Sequence, residues 1–281
     1  MARPLDTWTT TELVDAMTST SERIPVLMKG AGPAIVPVVD RMVTTIENGG
    51  RIFLVGAGTS GRLGVLDASE VPPTFGDRDV FVAAMAGGDE ALFAAREGAE
   101  DCGELGVQEL DERSYSPRDF CVGIAASGIT PFVWGALKHA RELHGGTALI
   151  SCRSGSNCPW ADLVIEVDTG EEFIKGSTRL MAGTIEKMIL NTLSTVTMVC
   201  LGRTYGNLMV SVVPSNKKLL ARAASIVSTI TGAPEPVARE KVTAVRDVRI
   251  AALMLGRNLT EEQARNRLSE FHNNFRRAYD G

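Results

Sequence analysis

The run Gly56-Ala57-Gly58-Thr59-Ser60-Gly61 follows an apolar stretch, and nine residues later Glu70 stands in front of Pro72 and Pro73. Glycines let backbone N–H groups approach an anion closely, and hydroxyls add donors, so this pattern suits a phosphate. Two familiar phosphate loops fail on their own chemistry. A dinucleotide site needs an acid about 20 residues on, at the tip of the next strand, to hold the ribose. Here the next apolar run ends in Ala86-Gly87-Gly88. A nucleoside triphosphate loop needs Lys and then Ser or Thr after its last glycine, and this chain has Arg62-Leu63. A phosphate on a smaller molecule remains. Two more hydroxyl-rich turns support it: Ser127, Gly128 and Thr130 after another apolar run, and Ser177 and Thr178 at the start of a long helix. One such turn is as often a plain helix cap as a site. Three in one domain point to a shared anion site formed by Gly58, Thr59, Ser60, Gly61, Ser127, Gly128, Thr130, Ser177 and Thr178.

The elements that must position these turns are legible as patterns. Five short, nearly continuous apolar runs occur within residues 51–56, 79–85, 119–126, 147–152 and 161–167, most of them separated by enough chain for a helix. That is the signature of parallel strands buried on both faces, hence an α/β layered domain whose ligands bind at the carboxyl edge of the sheet. Residues 34–50 read as a helix that stops at Gly49 and Gly50. From about Thr178 the pattern is helical only, with a stop at Gly232 and a capping box in Thr260 and Gln263. We expect a main domain over residues 1–215 and a small helical module over residues 216–281.

Composition narrows the class. The chain has 281 residues, is 44% hydrophobic and carries a net charge of −5, which argues against a nucleic-acid binder needing a basic face. The N-terminus lacks the apolar core of a secretion signal. The most membrane-like segment, residues 188–202, is short and interrupted by Asn191, Thr192, Ser194, Thr195 and Thr197. Five cysteines with no C-x-x-C pair and three histidines argue against a zinc site. The expectation is a cytoplasmic protein with reduced thiols and no membrane, nucleic-acid or metal partner.

Residues 56–76 (GAGTSGRLGVLDASEVPPTFG), 86–101 (AGGDEALFAAREGAED), 122–132 (VGIAASGITPF) and 176–195 (GSTRLMAGTIEKMILNTLST) resemble the N-acetylmuramic acid 6-phosphate etherases. These belong to the sugar isomerase (SIS) phosphosugar-binding superfamily, with the glucokinase regulatory protein a more distant relative. The likeness runs through nearly the whole chain from Thr7. It implies a flavodoxin-like five-stranded parallel sheet flanked by helices, a homodimer, and no metal or organic cofactor. It also implies a lyase that cleaves the D-lactyl ether of a phosphorylated amino sugar, N-acetylmuramic acid 6-phosphate, in peptidoglycan recycling. The products are N-acetylglucosamine 6-phosphate and D-lactate. Glu70 and Glu100 match the family's two carboxylates for proton transfer; which is acid and which base stays open. Taken alone, each glutamate would read as a solvated surface residue. Three positions depart from the family pattern: Ile129 in place of Arg, Lys175 in place of Thr, and Met181 in place of Lys. Alternatives are a noncatalytic phosphosugar-binding regulator and an aldose–ketose isomerase.

Overall fold

The computed structural model describes residues 3–94 and 96–281. Its internal contacts divide the chain into two compact units, one of Met1–Asp67 and Phe81–Leu193, the other of Ala68–Val80 and Ser194–Gly281.

The first unit opens with α1 (Thr10–Thr20) and α2 (Ile24–Glu47). Thr9 and Glu12 close a reciprocal capping box on α1, and α2 ends against Gly49, whose φ is +76°. Then follow β1 (Ile52–Gly56), α3 (Gly58–Phe75), β2 (Phe81–Met85), α4 (Gly103–Glu112), β3 (Phe120–Ile124), α5 (Pro131–Glu142), β4 (Gly146–Ser151), β5 (Leu163–Glu166) and α6 (Met181–Cys200). All five apolar runs are strands. They form one parallel sheet in the order β2-β1-β3-β4-β5, the flavodoxin-like arrangement expected.

The register explains where a site can form. Gly56 pairs with Met85 on one side and Ile124 on the other. The carboxyl ends of β1, β2 and β3 are therefore level, and their loops leave from one line. The amino ends of β1 and β3 are tied by buried Asp119, which accepts the Arg51 backbone N–H at 2.7 Å and the Arg51 guanidinium at 3.0 Å. Every residue of β1, β3 and β4 is buried, which is why these runs show no alternation. α5 covers one face with Phe132, Val133, Ala136, Leu137 and Ala140, a stripe at helical spacing. It packs with Phe53, Val55, Cys121 and Leu149 in one core cluster. Each large side chain buried there contributes roughly 1.5–3 kcal/mol.

The second unit holds the last turns of α3 and α6 with α7 (Lys217–Thr231), α8 (Glu235–Val245), α9 (Val248–Arg257), α10 (Glu261–Glu270) and α11 (Phe275–Asp280). Asn216 caps α7, Gly232 ends it at φ +72°, and Thr260 and Gln263 cap α10 reciprocally. The core here joins Val227, Ala238, Val242, Leu253, Leu268 and Phe275. Arg203 bonds Asp77 at 2.7 Å, fixing the Ala68–Val80 segment to this helical cluster. α3 does not stop before its proline pair; it runs through Pro72 and Pro73 to Phe75. Each proline removes one N–H donor. The turn is held instead by the Thr74 hydroxyl on the Glu70 carbonyl, at 2.9 Å, and by Gly76 N–H on the Pro72 carbonyl, also at 2.9 Å.

Two glycines of the first loop differ in what they demand. A Cβ on Gly61 would lie 2.6 Å from the Gly56 carbonyl oxygen, because the helix leaves the strand at close approach. A Cβ on Gly58 would meet nothing within 4 Å, but φ there is +54°. Gly61→Ala should therefore destabilise the protein by about 1–3 kcal/mol through overpacking. Gly58→Ala should cost about 1 kcal/mol through backbone strain alone. Urea midpoints of the two variants check the ranking; a Gly61→Ala protein as stable as the parent would contradict the close approach.

Candidate active site

The loop after β1 leads directly into α3, whose first intrahelical bond runs from Gly61 N–H to the Ala57 carbonyl at 3.1 Å. The N–H groups of Gly58, Thr59 and Ser60 thus have no acceptor within the helix, and the positive end of its dipole lies there. The loop after β3 turns at Gly128, where φ is +76°, and the Trp134 indole pins it by donating to the Gly128 carbonyl at 2.8 Å. Ser127 Oγ accepts the Ile129 N–H at 3.3 Å and lies 3.5 Å from the Thr130 hydroxyl. Thr130 is the N-cap residue of α5, yet its side chain makes no cap bond.

These two loops line one cavity of about 470 Å³, with Thr59, Ser60, Ser127, Thr130 and Thr178 on its wall. Glu100 is on the same wall, exposed, in the short 3-10 turn Ala99–Asp101. The cavity lies between the carboxyl ends of β1 and β3, where the strand order reverses direction. That is the crevice in which open α/β sheets bind ligands. Gly61 and Gly128 support the loops from behind rather than line the cavity. Ser177 is outside the lining, its N–H bonded to the Ile174 carbonyl at 3.0 Å. Glu70 is also outside the lining; it is an exposed residue on the part of α3 that belongs to the second unit.

The start of α6 differs from the sequence reading. Ser177 and Thr178 sit in a turn before the helix, which begins at Met181. Glu172 accepts the N–H groups of both Met181 and Ala182 at 2.9 Å, so a carboxylate already occupies this helix end. Met181 is buried and lines neither this cavity nor the adjoining one. Lys175 lines an adjoining cavity of about 400 Å³ that shares Ala126 and Thr178 with the first. Ile129 is 59% exposed on the rim. Arg62, the basic side chain nearest to the glycine loop in sequence, donates to the carbonyls of Ala91 and Leu92 at 2.6 and 3.1 Å.

One buried carboxyl next to the cavity residue Ser60 escaped the sequence reading. Glu186 on α6 is fully buried and takes the Ser60 hydroxyl between its two oxygens, at 3.0 and 2.9 Å. A signal for it exists: Ala182, Ile185, Ile189, Leu190 and Leu193 are the buried stripe of α6, and Glu186 is the one acid on that stripe. Burial pushes its carboxyl up to about 7, with the Ser60 hydrogen bond pulling the other way.

A doubly wound parallel sheet with Gly, Ser and Thr loops meeting at its switch point is the architecture of a SIS-type domain. Residues 34–141 match the family model described as the glucokinase regulatory protein N-terminal SIS domain. A solved phosphoheptose isomerase from Francisella tularensis has the same fold, with a TM-score of 0.55 at 18% identity over 68% of this chain and 100% of that one. Sequence relatives are far nearer. N-acetylmuramic acid 6-phosphate etherase 2 of Enterococcus faecalis is 42% identical over 94% of this chain and 90% of its own length. The N-acetylmuramic acid 6-phosphate etherase of Cutibacterium acnes is 44% identical over 95% and 88%. The chain belongs to the N-acetylmuramic acid 6-phosphate etherase family.

The raised carboxyl of Glu186 makes stability depend on pH. The folded state holds the proton up to about pH 7, whereas an unfolded glutamate releases it near 4.5. The stabilisation is therefore complete below about pH 4.5, falls as pH rises through 7, and is flat above. Relative to Glu186→Gln, the parent should lose about 3 kcal/mol across that window. Urea unfolding of both proteins at pH 5 and pH 8 measures the difference; parallel pH curves would exclude a raised carboxyl.

Proposed function

We propose that this protein is an N-acetylmuramic acid 6-phosphate etherase, a carbon–oxygen lyase that releases D-lactate and N-acetylglucosamine 6-phosphate. The observation that carries the reading is the cavity at the β1/β3 switch point. It combines first-turn N–H groups of α3 and three hydroxyl-bearing loops with the Glu100 carboxylate on one wall. The extent of the family likeness supports the substrate.

The sugar phosphate is held by Thr59, Ser60, Ser127, Thr130 and Thr178 with the loop N–H groups, and Gly58, Gly61 and Gly128 shape the loops. In the open-chain sugar the C2 proton is acidic because it adjoins the aldehyde. A carboxylate removes it, and the electron pair passes through the enolate to expel the lactyl oxygen from C3, which leaves with a proton from an acid. Water then adds to C3 of the unsaturated aldehyde and C2 regains a proton, with the two groups exchanging roles. Glu70 and Glu100 are assigned these transfers. Ser177 acts through the shape of the turn before α6. The enzyme works as a homodimer. A phosphorylated sugar does not cross a membrane unaided, so its site of action is the cytoplasm, in salvage of cell-wall amino sugar. Among the described residues no helix is long and apolar enough to cross a membrane.

The test is release of D-lactate from N-acetylmuramic acid 6-phosphate by purified protein, with ¹⁸O-water and heavy water as tracers. The label should enter the sugar at C3 and not the lactate, and deuterium should appear at C2. Glu70→Gln and Glu100→Gln should each lower kcat by about 10²–10⁴ while the protein still binds N-acetylglucosamine 6-phosphate. Ketose formation without lactate would mean an isomerase, and binding without turnover a regulator. Sedimentation of the parent protein as a monomer at assay concentration would reject the homodimer.

A further inference from the structure

Ser60 has one hydroxyl proton, and two acceptors compete for it. Its Oγ sits on both carboxylate oxygens of Glu186, which is fully buried, while the same residue lines the cavity. An ionised carboxylate can only accept. With Glu186 ionised, the Ser60 proton must point inward, and Ser60 turns only lone pairs toward the cavity, the wrong polarity for a phosphate oxygen. With Glu186 protonated, the carboxyl O–H donates to Ser60 Oγ and the Ser60 proton is released toward the ligand. The same step removes a buried negative charge from beneath the anion site.

We propose that Glu186 is a proton-coupled positioning residue: the sugar phosphate binds the form in which Glu186 carries a proton, and wherever Glu186 is ionised beforehand, binding draws one proton from solvent. The inference rests on the reading that Ser60 contacts the phosphate.

Among the described residues, the surroundings leave Glu186 no other counterpart. On α3, Arg62 is engaged by the carbonyls of Ala91 and Leu92, and Asp67 accepts the Asn191 side-chain amide at 2.7 Å. At the end of β4 stands Cys152, a buried thiol that burial, and then Glu186 and Glu172, push upward, so it stays neutral. Before α6, Glu172 is engaged by the Met181 and Ala182 N–H groups. On α6 itself the adjacent Lys187 is exposed. Among the described residues no salt bridge reaches Glu186. An ionised Glu186 is thus a buried charge supported by one hydroxyl proton, and a phosphate that claims this proton leaves it unsupported. Binding and ionisation exclude each other.

The experiment is calorimetric titration with N-acetylglucosamine 6-phosphate at pH 8 in buffers of different ionisation enthalpy. Binding to the parent protein should take up close to one proton, and its Kd should weaken about tenfold per pH unit above 7. Glu186→Gln carries no titrating proton and no charge, and offers Ser60 Oγ an amide N–H donor at every pH. Proton uptake should fall to near zero and Kd at pH 8 should tighten and lose its pH dependence. The ligand's own phosphate titration is common to both proteins and cancels in the comparison. No proton uptake by the parent at pH 8, or equal uptake by parent and Glu186→Gln, overturns the inference whatever the variant's stability. Ser60→Ala separates it from the underlying reading. If Ser60 holds the phosphate, that variant binds at least about tenfold more weakly and loses the uptake. Unchanged affinity in Ser60→Ala would reject Ser60 as a phosphate ligand, and the inference with it.

Discussion

The level ends of three parallel strands govern this molecule. Gly56, Met85 and Ile124 lie side by side in register, so the chain leaves the sheet along one line after β1, β2 and β3. A slip of one residue in either pairing would move a loop by a strand rise and turn its neighbouring side chains to the other face. The register is maintained from the opposite end of the strands. There Asp119 gathers the Arg51 backbone and guanidinium with the Ser116 N–H and hydroxyl, all within 3.0 Å through one or other carboxylate oxygen. A buried carboxylate so fully bonded resists displacement, because each lost bond would leave charge desolvated.

On that edge the proposed anion site is built almost entirely of dipoles. Thr59, Ser60, Ser127 and Thr130 line the cavity beside the first turn of α3, the Ser60 hydroxyl being engaged by Glu186, while Arg62 is committed to two backbone carbonyls. Charge-assisted bonds are roughly twice as strong as neutral ones, so a site of this kind depends on geometry rather than on net charge. The buried Glu186 beneath Ser60 sharpens the dependence. It makes the orientation of one hydroxyl, and not the number of donors, the variable that decides whether the loop welcomes an anion. Lys175, in the adjoining cavity, supplies positive charge from a different direction.

The fold itself is shared well beyond this chemistry. A phosphoheptose isomerase with 18% identity superposes on two thirds of the chain, whereas etherases match at 42–44% along nearly all of it. Fold and reaction are separable, and the reaction resides in particular side chains set on a common edge. Of the two carboxylates proposed for proton transfer, Glu100 is in the first unit, after the αL turn at Gly98, and Glu70 is carried by the second unit on the proline-containing end of α3.

The amino-acid sequence by itself determined the strands, their parallel pairing class, the helix stops at Gly49 and Gly232 and the glycine-hydroxyl loops. These follow from local rules: buried strands read as unbroken apolar runs, and tight turns require Gly. Thr260 with Gln263 was legible for the same reason, since a capping box closes within four residues. The tertiary structure alone decided the rest. Residues 68–80 join a helical unit that starts more than a hundred residues later, because their partners Arg203 and Ser211 are distant in the chain. The N-terminus of α6 faces Glu172 instead of a ligand, and Ser60 meets Glu186 across 126 positions. A carboxyl group's charge depends on what surrounds it in space, and no local pattern reports the loss of water around Glu186.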